Sequence, residues 1–316
     1  MILILNMDMR KKITIICPVF NEEKNINDFY ESFCKIFKKL SFYNFTIIFS
    51  DNKSTDNSLK LIEEICKKDT RVSLLGYSKN FGVMKSIYTA ISFVEADACA
   101  IFDCDMQDSP ELISEFIDKW LEGNKIVFGK RKLRTESKIL YFLRKIQKKL
   151  EKFIKGYETN IESGAWFLDK VVIEEMKKYP YDSFLPGLIS RLGFKSAHVE
   201  YVRNIRKKGL TKFNYKLYFL YGVDGLISGT ITPLRISIIF SIIFAIFCFI
   251  SSIYFVLAKF FLKITFQEGI AAILIINLFS FSIIFFILGI FGEYLGRIYI
   301  RNEDQKLAII EKKINF

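Results

Sequence analysis

The sequence predicts an α/β domain built on a mainly parallel sheet, followed by two membrane-spanning helices. Three observations predict it. From residue 13 to 129, short β-branched runs alternate with helix-length segments, and up to about residue 233 charged and apolar residues are mixed. Beyond that point lie two long uncharged runs, 236–258 and 269–292. Polar residues also recur directly after successive strands, at the edge where ligands gather in such sheets.

The elements follow in order. "ITIICPV" (13–19) and "FTIIFSD" (45–51) read as buried parallel strands. The stretch 22–40 between them reads as a helix opened by Glu22 and Glu23, where the positive end of the helix dipole favours acids. "RVSLLGY" (71–77), "ACAIFD" (98–103) and "KIVFG" (125–129) give three more strands. Helices over 56–69, 82–96 and 109–122 fill the gaps, the last with Ser109 as N-cap and Pro110 in its first position. Residues 137–155 place apolar side chains on one helical face and lysines on much of the rest. Such a helix suits a membrane interface, the alternative being a helix packed on the domain surface. Residues 215–235 lead through Pro233 into the first span. Runs 236–258 and 269–292 each exceed the roughly 20 apolar residues that a bilayer crossing needs. The expected organisation is therefore a domain over 1–214, a juxtamembrane helix over 215–235, two spans, and a cytoplasmic tail over 293–316.

Charge placement sets orientation. Arg203, Arg206, Lys207, Lys208, Lys212, Lys216 and Arg235 precede the first span, and Arg297 and Arg301 follow the second. The connector between the spans carries only Lys259 and Lys263, so the domain and both termini are expected in the cytoplasm of an inner-membrane protein. "MILILNM" is too short to be read as a leader. The formal charge of +12 is assigned to an anionic membrane surface, with no nucleic-acid partner. The six cysteines show no CxxC pairing, and a single histidine, His198, argues against a histidine-based zinc site or triad.

Four polar groups end successive strands: Asn21-Glu22, Asp51-Asn52, Lys79-Asn80 and Asp103-Cys104-Asp105. In "FDCDMQDSPELI", Asp103 and Asp105 are two apart, so both carboxylates can address one ion, while Cys104 points into the core. An oxygen-only partial set of this kind suits Mg²⁺ or Mn²⁺, with phosphates and water completing the shell. Asp108 and Ser109 read simply as the start of a helix.

"CPVFNEEKNI", "SDNKSTDNS", "SKNFG", "FDCDMQDSPELI" and "FGKRKLR" stand in the order and spacing of family 2 glycosyltransferases with a GT-A fold, which the chain resembles. "RKKGLTKFNYKLYFLYGVDGLISGTITPLR", the two spans and "FGEYLGRIY" are similar to the polyisoprenyl-phosphate group within that family, which includes bactoprenol glucosyltransferases and dolichol-phosphate mannosyltransferases. The resemblance implies that Asp103, Asp105 and Gln107 hold the metal and the diphosphate. It implies that Asp51 reads the base of a nucleotide sugar, with Pro18, Asn21, Glu22 and Asn80 completing the pocket. It makes Arg131, Arg206 and Lys212 phosphate contacts. Alternatives stand beside these roles: Asp51 as a helix or turn cap, Glu22 as a helix-start acid, and the three basic residues as headgroup contacts.

Two departures are visible. Relatives carry Gly-Asp-Phe-Arg-Leu, with the Asp a proposed base, where this chain has "ESGAWFLDK" (162–170). Gly164 stands at that Asp and Trp166 at the Arg, while Asp169 reads as an N-cap. Asn52 replaces the second acid of an Asp-Asp-Gly-Ser pattern. The expected activity is inverting, metal-dependent transfer of one sugar from a UDP-sugar such as UDP-glucose to polyprenyl phosphate, serving cell-envelope glycan modification. The rivals are a polysaccharide-elongating family 2 enzyme and an inactive membrane scaffold of the same fold. Gly269 and Gly289 allow a homo-oligomer, dimer or tetramer, among membrane lipids.

Overall fold

The computed structural model describes residues 10–132, 149, 164–179, 185–204, 243, 246, 247, 250, 270–303 and 307–316. In chain order the elements are β1 (Lys12–Val19), α1 (Ile26–Lys39), β2 (Asn44–Asp51), α2 (Ser58–Lys68), β3 (Val72–Tyr77), α3 (Val83–Ser92), β4 (Ala98–Ile101), α4 (Leu112–Leu121) and β5 (Ile126–Arg131). Then come β6 (Trp166–Asp169), α5 (Lys170–Lys178), α6 (Leu185–Arg191), β7 (Ser196–Tyr201), α7 (Ile270–Glu303) and β8 (Ile310–Ile314).

The strands form one sheet in the order β7-β5-β6-β4-β1-β2-β3-β8. β1 pairs in parallel with β2 and β4, β2 with β3, and β5 with β7. Only β6 and β8 run against the rest. The mainly parallel α/β sheet expected from the sequence is present, and the two-residue period of its strands explains how both faces are covered. Ile13, Ile15 and Cys17 pack on one face with Phe29 and Phe33 of α1 and Phe116 of α4. Ile16, Ile48 and Leu75 pack on the other with Ile87 of α3, Ile173 of α5 and Leu188 of α6.

Helix starts differ from the expected ones. α1 begins at Ile26, not Glu22, which instead closes a turn: its carbonyl accepts from Asn25 N–H at 2.8 Å and its side chain from Asn25 Nδ2 at 2.6 Å. α4 begins at Leu112 after a tight turn in which the Leu112 and Ile113 N–H groups donate to the carbonyls of Ser109 and Pro110. Ser109 is therefore not its N-cap. Asp169 does cap α5, accepting from Val171 N–H at 3.0 Å.

The 34-residue helix α7 is long enough, at roughly 50 Å, to cross a bilayer. Its window Phe279–Gly296 has a mean hydropathy of 1.8 and buries nothing, and it is the one helix of that kind among the described residues. Of the first expected span, Ile243, Ile246, Phe247 and Ile250 are described; they are helical and exposed. Of the segment 137–155, only Lys149 falls among the described residues, and 215–235 lies outside them.

At the end of α2, Asp69 accepts from the Arg71 guanidinium at 2.7 and 2.9 Å and from the Tyr30 hydroxyl at 2.9 Å. The Arg71 bonds outweigh burial and hold its carboxyl at a pKa of about 2. A depressed folded pKa contributes stability that is present above the unfolded value near 4 and lost as pH falls through about 2. Asp69→Asn is therefore expected to cost about 1 kcal/mol at pH 7, discounted for partial exposure. Thermal unfolding across pH should show the gap between variant and parent shrinking below about pH 4.

Candidate active site

Parallel strands deliver their carboxyl ends to one edge, and the polar residues singled out in the sequence collect there. Asp51 ends β2 opposite Val19 of β1, Asp103 lies two residues past β4, and Arg131 and Tyr201 are register partners at the ends of β5 and β7. β6 runs the other way, so its start, Trp166 opposite Ile101 and Phe128, brings Gly164 to the same edge.

The first two loops at that edge are knitted together. Asn21 N–H donates to Ser54 Oγ at 2.9 Å, Thr55 N–H to Asn21 Oδ1 at 2.7 Å, and Glu22 N–H to Ser58 Oγ at 2.9 Å. Phe81 N–H donates to Asn52 Oδ1 at 2.9 Å, joining the loop after β3 to the same group. Asn80 is exposed and caps its own turn through Gly82 N–H, whereas Pro18 sits within β1 opposite Ser50. Asn21, Lys53 and Met106 adopt positive φ values of 54°, 62° and 57°. Three of the four non-glycine residues with positive φ among the described residues thus lie in loops of this edge, the fourth being Asn315 after β8, and such strain costs of order 1 kcal/mol each.

Asp51 is buried. Its Oδ2 accepts from Ser54 N–H at 3.2 Å, but Oδ1 has no hydrogen-bond partner. Burial raises its pKa, with the Ser54 bonds opposing. An orphaned acceptor at the end of a strand is what a ligand N–H would satisfy.

Asp103 is exposed to solvent, although neighbouring atoms crowd around it. Loss of hydration raises its pKa to about 7, helped by Asp105 and Asp108 and opposed by Arg203 and Arg131. Beside it the half-buried Asp105 accepts from Gln107 N–H at 3.1 Å across the Met106 turn. Gln107 is tied in turn to the chain after β7, its carbonyl accepting from Asn204 N–H at 2.9 Å. Among the described residues no group of three or more carboxylate, thiol or imidazole side chains could enclose a metal. Two crowded carboxylates and an amide fit a hard divalent cation that keeps open positions for water and phosphate. Loss of hydration first, and the neighbouring Asp105 and Asp108 second, make the charged form of Asp103 costly, and a bound cation would offset both.

Asp108 is more than the helix-start residue the sequence suggested. It is buried, accepts from the Tyr201 hydroxyl at 2.5 Å, and lies 3.5 Å from Arg203 Nε. Arg131 comes within hydrogen-bonding reach of the same phenol. The Nε atoms of Arg131 and Arg203 and Asp108 Oδ2 are buried without a hydrogen-bond partner. Arg203 counted in the sequence only toward a charge bias, and Tyr201 carried no signal at all. The structure thus brings together Asp103, Asp105, Gln107 and Arg131, with Asp51, Asn21 and Glu22 along the same edge. Arg206 and Lys212 lie outside the described residues.

Comparison with known proteins follows the same lines. The Glycosyl transferase family 2 model matches residues 14–177. The uncharacterized glycosyltransferase YkcC of Bacillus subtilis is 31% identical over 304 residues, which are 95% of this chain and 93% of that protein. The prophage bactoprenol glucosyl transferase homolog of Escherichia coli is 31% identical over 305 residues, 95% of this chain and 99% of the relative. The mannosyltransferase PcManGT of Pyrobaculum calidifontis, solved with GDP-Man and Mn2+, is 15% identical. It covers 66% of this chain and 60% of its own with a TM-score of 0.48, too distant to carry a ligand across.

Proposed function

The chain belongs to glycosyl transferase family 2, and from that premise we propose that it transfers one sugar from a nucleotide diphosphate sugar, UDP-glucose first, to polyprenyl phosphate at the cytoplasmic membrane face. The relative named as a bactoprenol glucosyl transferase homolog, similar along almost its whole length, supports the acceptor class.

The observation that carries the reading is where β8 enters the sheet. Ile310 pairs with Tyr77, so β8 starts at the carboxyl edge of the parallel strands, the edge of Asp51 and Asp103. Only residues 304–306 separate the end of α7 from Leu307, a reach of at most about 15 Å. An apolar helix suited to a bilayer therefore ends close to the active edge, where a lipid phosphate would present itself. β8 shares a sheet with β1 to β7, so if α7 crosses the membrane, the chain between β7 and α7 crosses it an odd number of times. The uncharged run 236–258 supports that second crossing.

In this reading Asp51 Oδ1 accepts an N–H of the base, with Pro18, Asn21, Glu22 and Asn80 around it. Asp103, Asp105 and Gln107 would hold Mg²⁺ or Mn²⁺, which when bound neutralises charge on the diphosphate as a Lewis acid. Arg131, with Arg206 and Lys212, binds phosphate oxygens. A polyprenyl phosphate oxygen attacks the anomeric carbon from the face opposite the diphosphate. The carbon–oxygen bond to the diphosphate breaks with inversion, and its electron pair leaves on the nucleoside diphosphate. Gly164 offers no base, and none is needed: a phosphate monoester with a second pKa near 6 is already mostly dianionic at neutral pH.

The test uses detergent-purified full-length protein, Mn²⁺ or Mg²⁺, a short polyprenyl phosphate and radiolabelled UDP-glucose beside other UDP- and GDP-sugars. Label entering the organic phase, and lost with EDTA, is the expected result. No label from any donor would overturn the reading.

A further inference from the structure

Two glycines at the active edge leave room for one side chain. A Cβ on Gly129 would come within 2.7 Å of Tyr201 Cε1, and one on Gly164 within 3.1 Å of the Tyr201 hydroxyl. The ring therefore lies flat against β5, and the hydroxyl fills the space where a side chain at 164 would project. That hydroxyl donates to buried Asp108 at 2.5 Å, and the Arg131 guanidinium stands beside its oxygen from the register position on β5. The same Asp108 oxygen, Oδ1, lies 3.5 Å from Arg203 Nε. Arg131 has a buried Nε with no acceptor, so its guanidinium is held in place yet still short of one partner.

We propose that Tyr201 is a positioning residue: seated by Gly129 and Gly164 and anchored to Asp108, it fixes the Arg131 guanidinium for the diphosphate of the nucleotide. The ring is held by the sheet, and a hydrogen-bonded phenol restricts the guanidinium plane without placing another charge near the phosphates. A guanidinium binds phosphate through a planar fork, so its orientation and not only its charge sets its contribution. The inference rests on the nucleotide reading above but not on the identity of the acceptor.

Calorimetric titration of UDP and UMP, and in parallel GDP and GMP, into the full-length protein with Mn²⁺ separates the possibilities. Tyr201→Phe is expected to weaken the diphosphate by about fivefold to tenfold, the size of one ordinary net hydrogen bond, and the monophosphate by less than about twofold. In an Arg131→Ala background the same change should cost nothing more. Gly164→Ala, whose Cβ would meet the hydroxyl at 3.1 Å and the Gly129 carbonyl at 3.3 Å, should weaken UDP in the parent and cost less beside Tyr201→Phe, where only the carbonyl contact remains. Equal loss for UDP and UMP, or additive losses with Arg131→Ala, would reduce Tyr201 to a packing residue and overturn the proposal. A parent that binds neither UDP nor GDP would overturn the donor reading together with this one. A parent that binds while Tyr201→Phe binds equally well would overturn this one alone.

Discussion

Asp105→Ala should reduce sugar transfer by about three orders of magnitude or more while the sheet stays folded, because it removes half of the carboxylate pair proposed to hold the metal at the diphosphate. The side chain has two tasks, and they can be separated. Its Oδ1 accepts from Gln107 N–H at 3.1 Å and so supports the strained Met106 turn; its charge acts on neighbouring Asp103. Asp105→Asn keeps an oxygen for the turn and loses the charge. If the charge matters, Asn and Ala should fail alike in label transfer, with similar thermal midpoints. Activity of Asp105→Asn within about tenfold of the parent would mean the acid serves the loop, and the assignment of Asp103 and Asp105 as metal ligands would fall. EDTA should mimic the variants in the parent and change little in Asp105→Ala.

How much of this was legible in the sequence depended on where each strand lies. β1 to β5 read clearly because buried parallel strands are runs of β-branched residues between turn signals, as in "ITIICPV". β7 and β8 flank the sheet, and edge strands are short and charged: "SAHVEY" and "IEKKI" look like surface loop and tail. The four residues of β6 run straight into α5 and read as its lead-in. β8 is nevertheless firmly held, with Asn315 Nδ2 donating to the carbonyls of Cys66 and Val72 at 2.8 Å and Glu311 paired with Lys53 of the β2 loop. Asp103, Asp105 and Asp51 were legible because acids directly after apolar strands are costly without a purpose. Asp108 was hidden by a good local signal. Asp-Ser-Pro is a standard helix opening, and only the arrival of Tyr201 and Arg203 from a distant strand overrides it.

Asp51→Asn should move function and stability in opposite directions. The carboxylate is buried, its Oδ2 has Ser54 and its Oδ1 has nothing. Burial raises its folded pKa above the unfolded value, so the folded chain holds this proton more tightly than the unfolded one. As pH rises from the unfolded pKa through the folded one, that advantage is lost, and at neutral pH the fold carries a desolvated charge with a vacant acceptor. Asn keeps the shape and an oxygen for Ser54 without the charge. The variant should therefore be more stable than the parent by about 1 kcal/mol at pH 7 in the absence of nucleotide, with the difference vanishing toward pH 4. Its donor KM should rise by about 30- to 100-fold, because an amide binds a base N–H more weakly than a carboxylate does and turns a donor toward other groups of the base. Since the base is remote from the anomeric carbon, kcat should change by less than about threefold. Thermal unfolding across pH and donor saturation curves read the two halves separately. A less stable variant with unchanged KM would make Asp51 a structural cap of its turn. A fall in kcat alone would place it nearer the reacting sugar than the base. The combination of gained stability and lost affinity is the signature of a residue kept costly for its ligand.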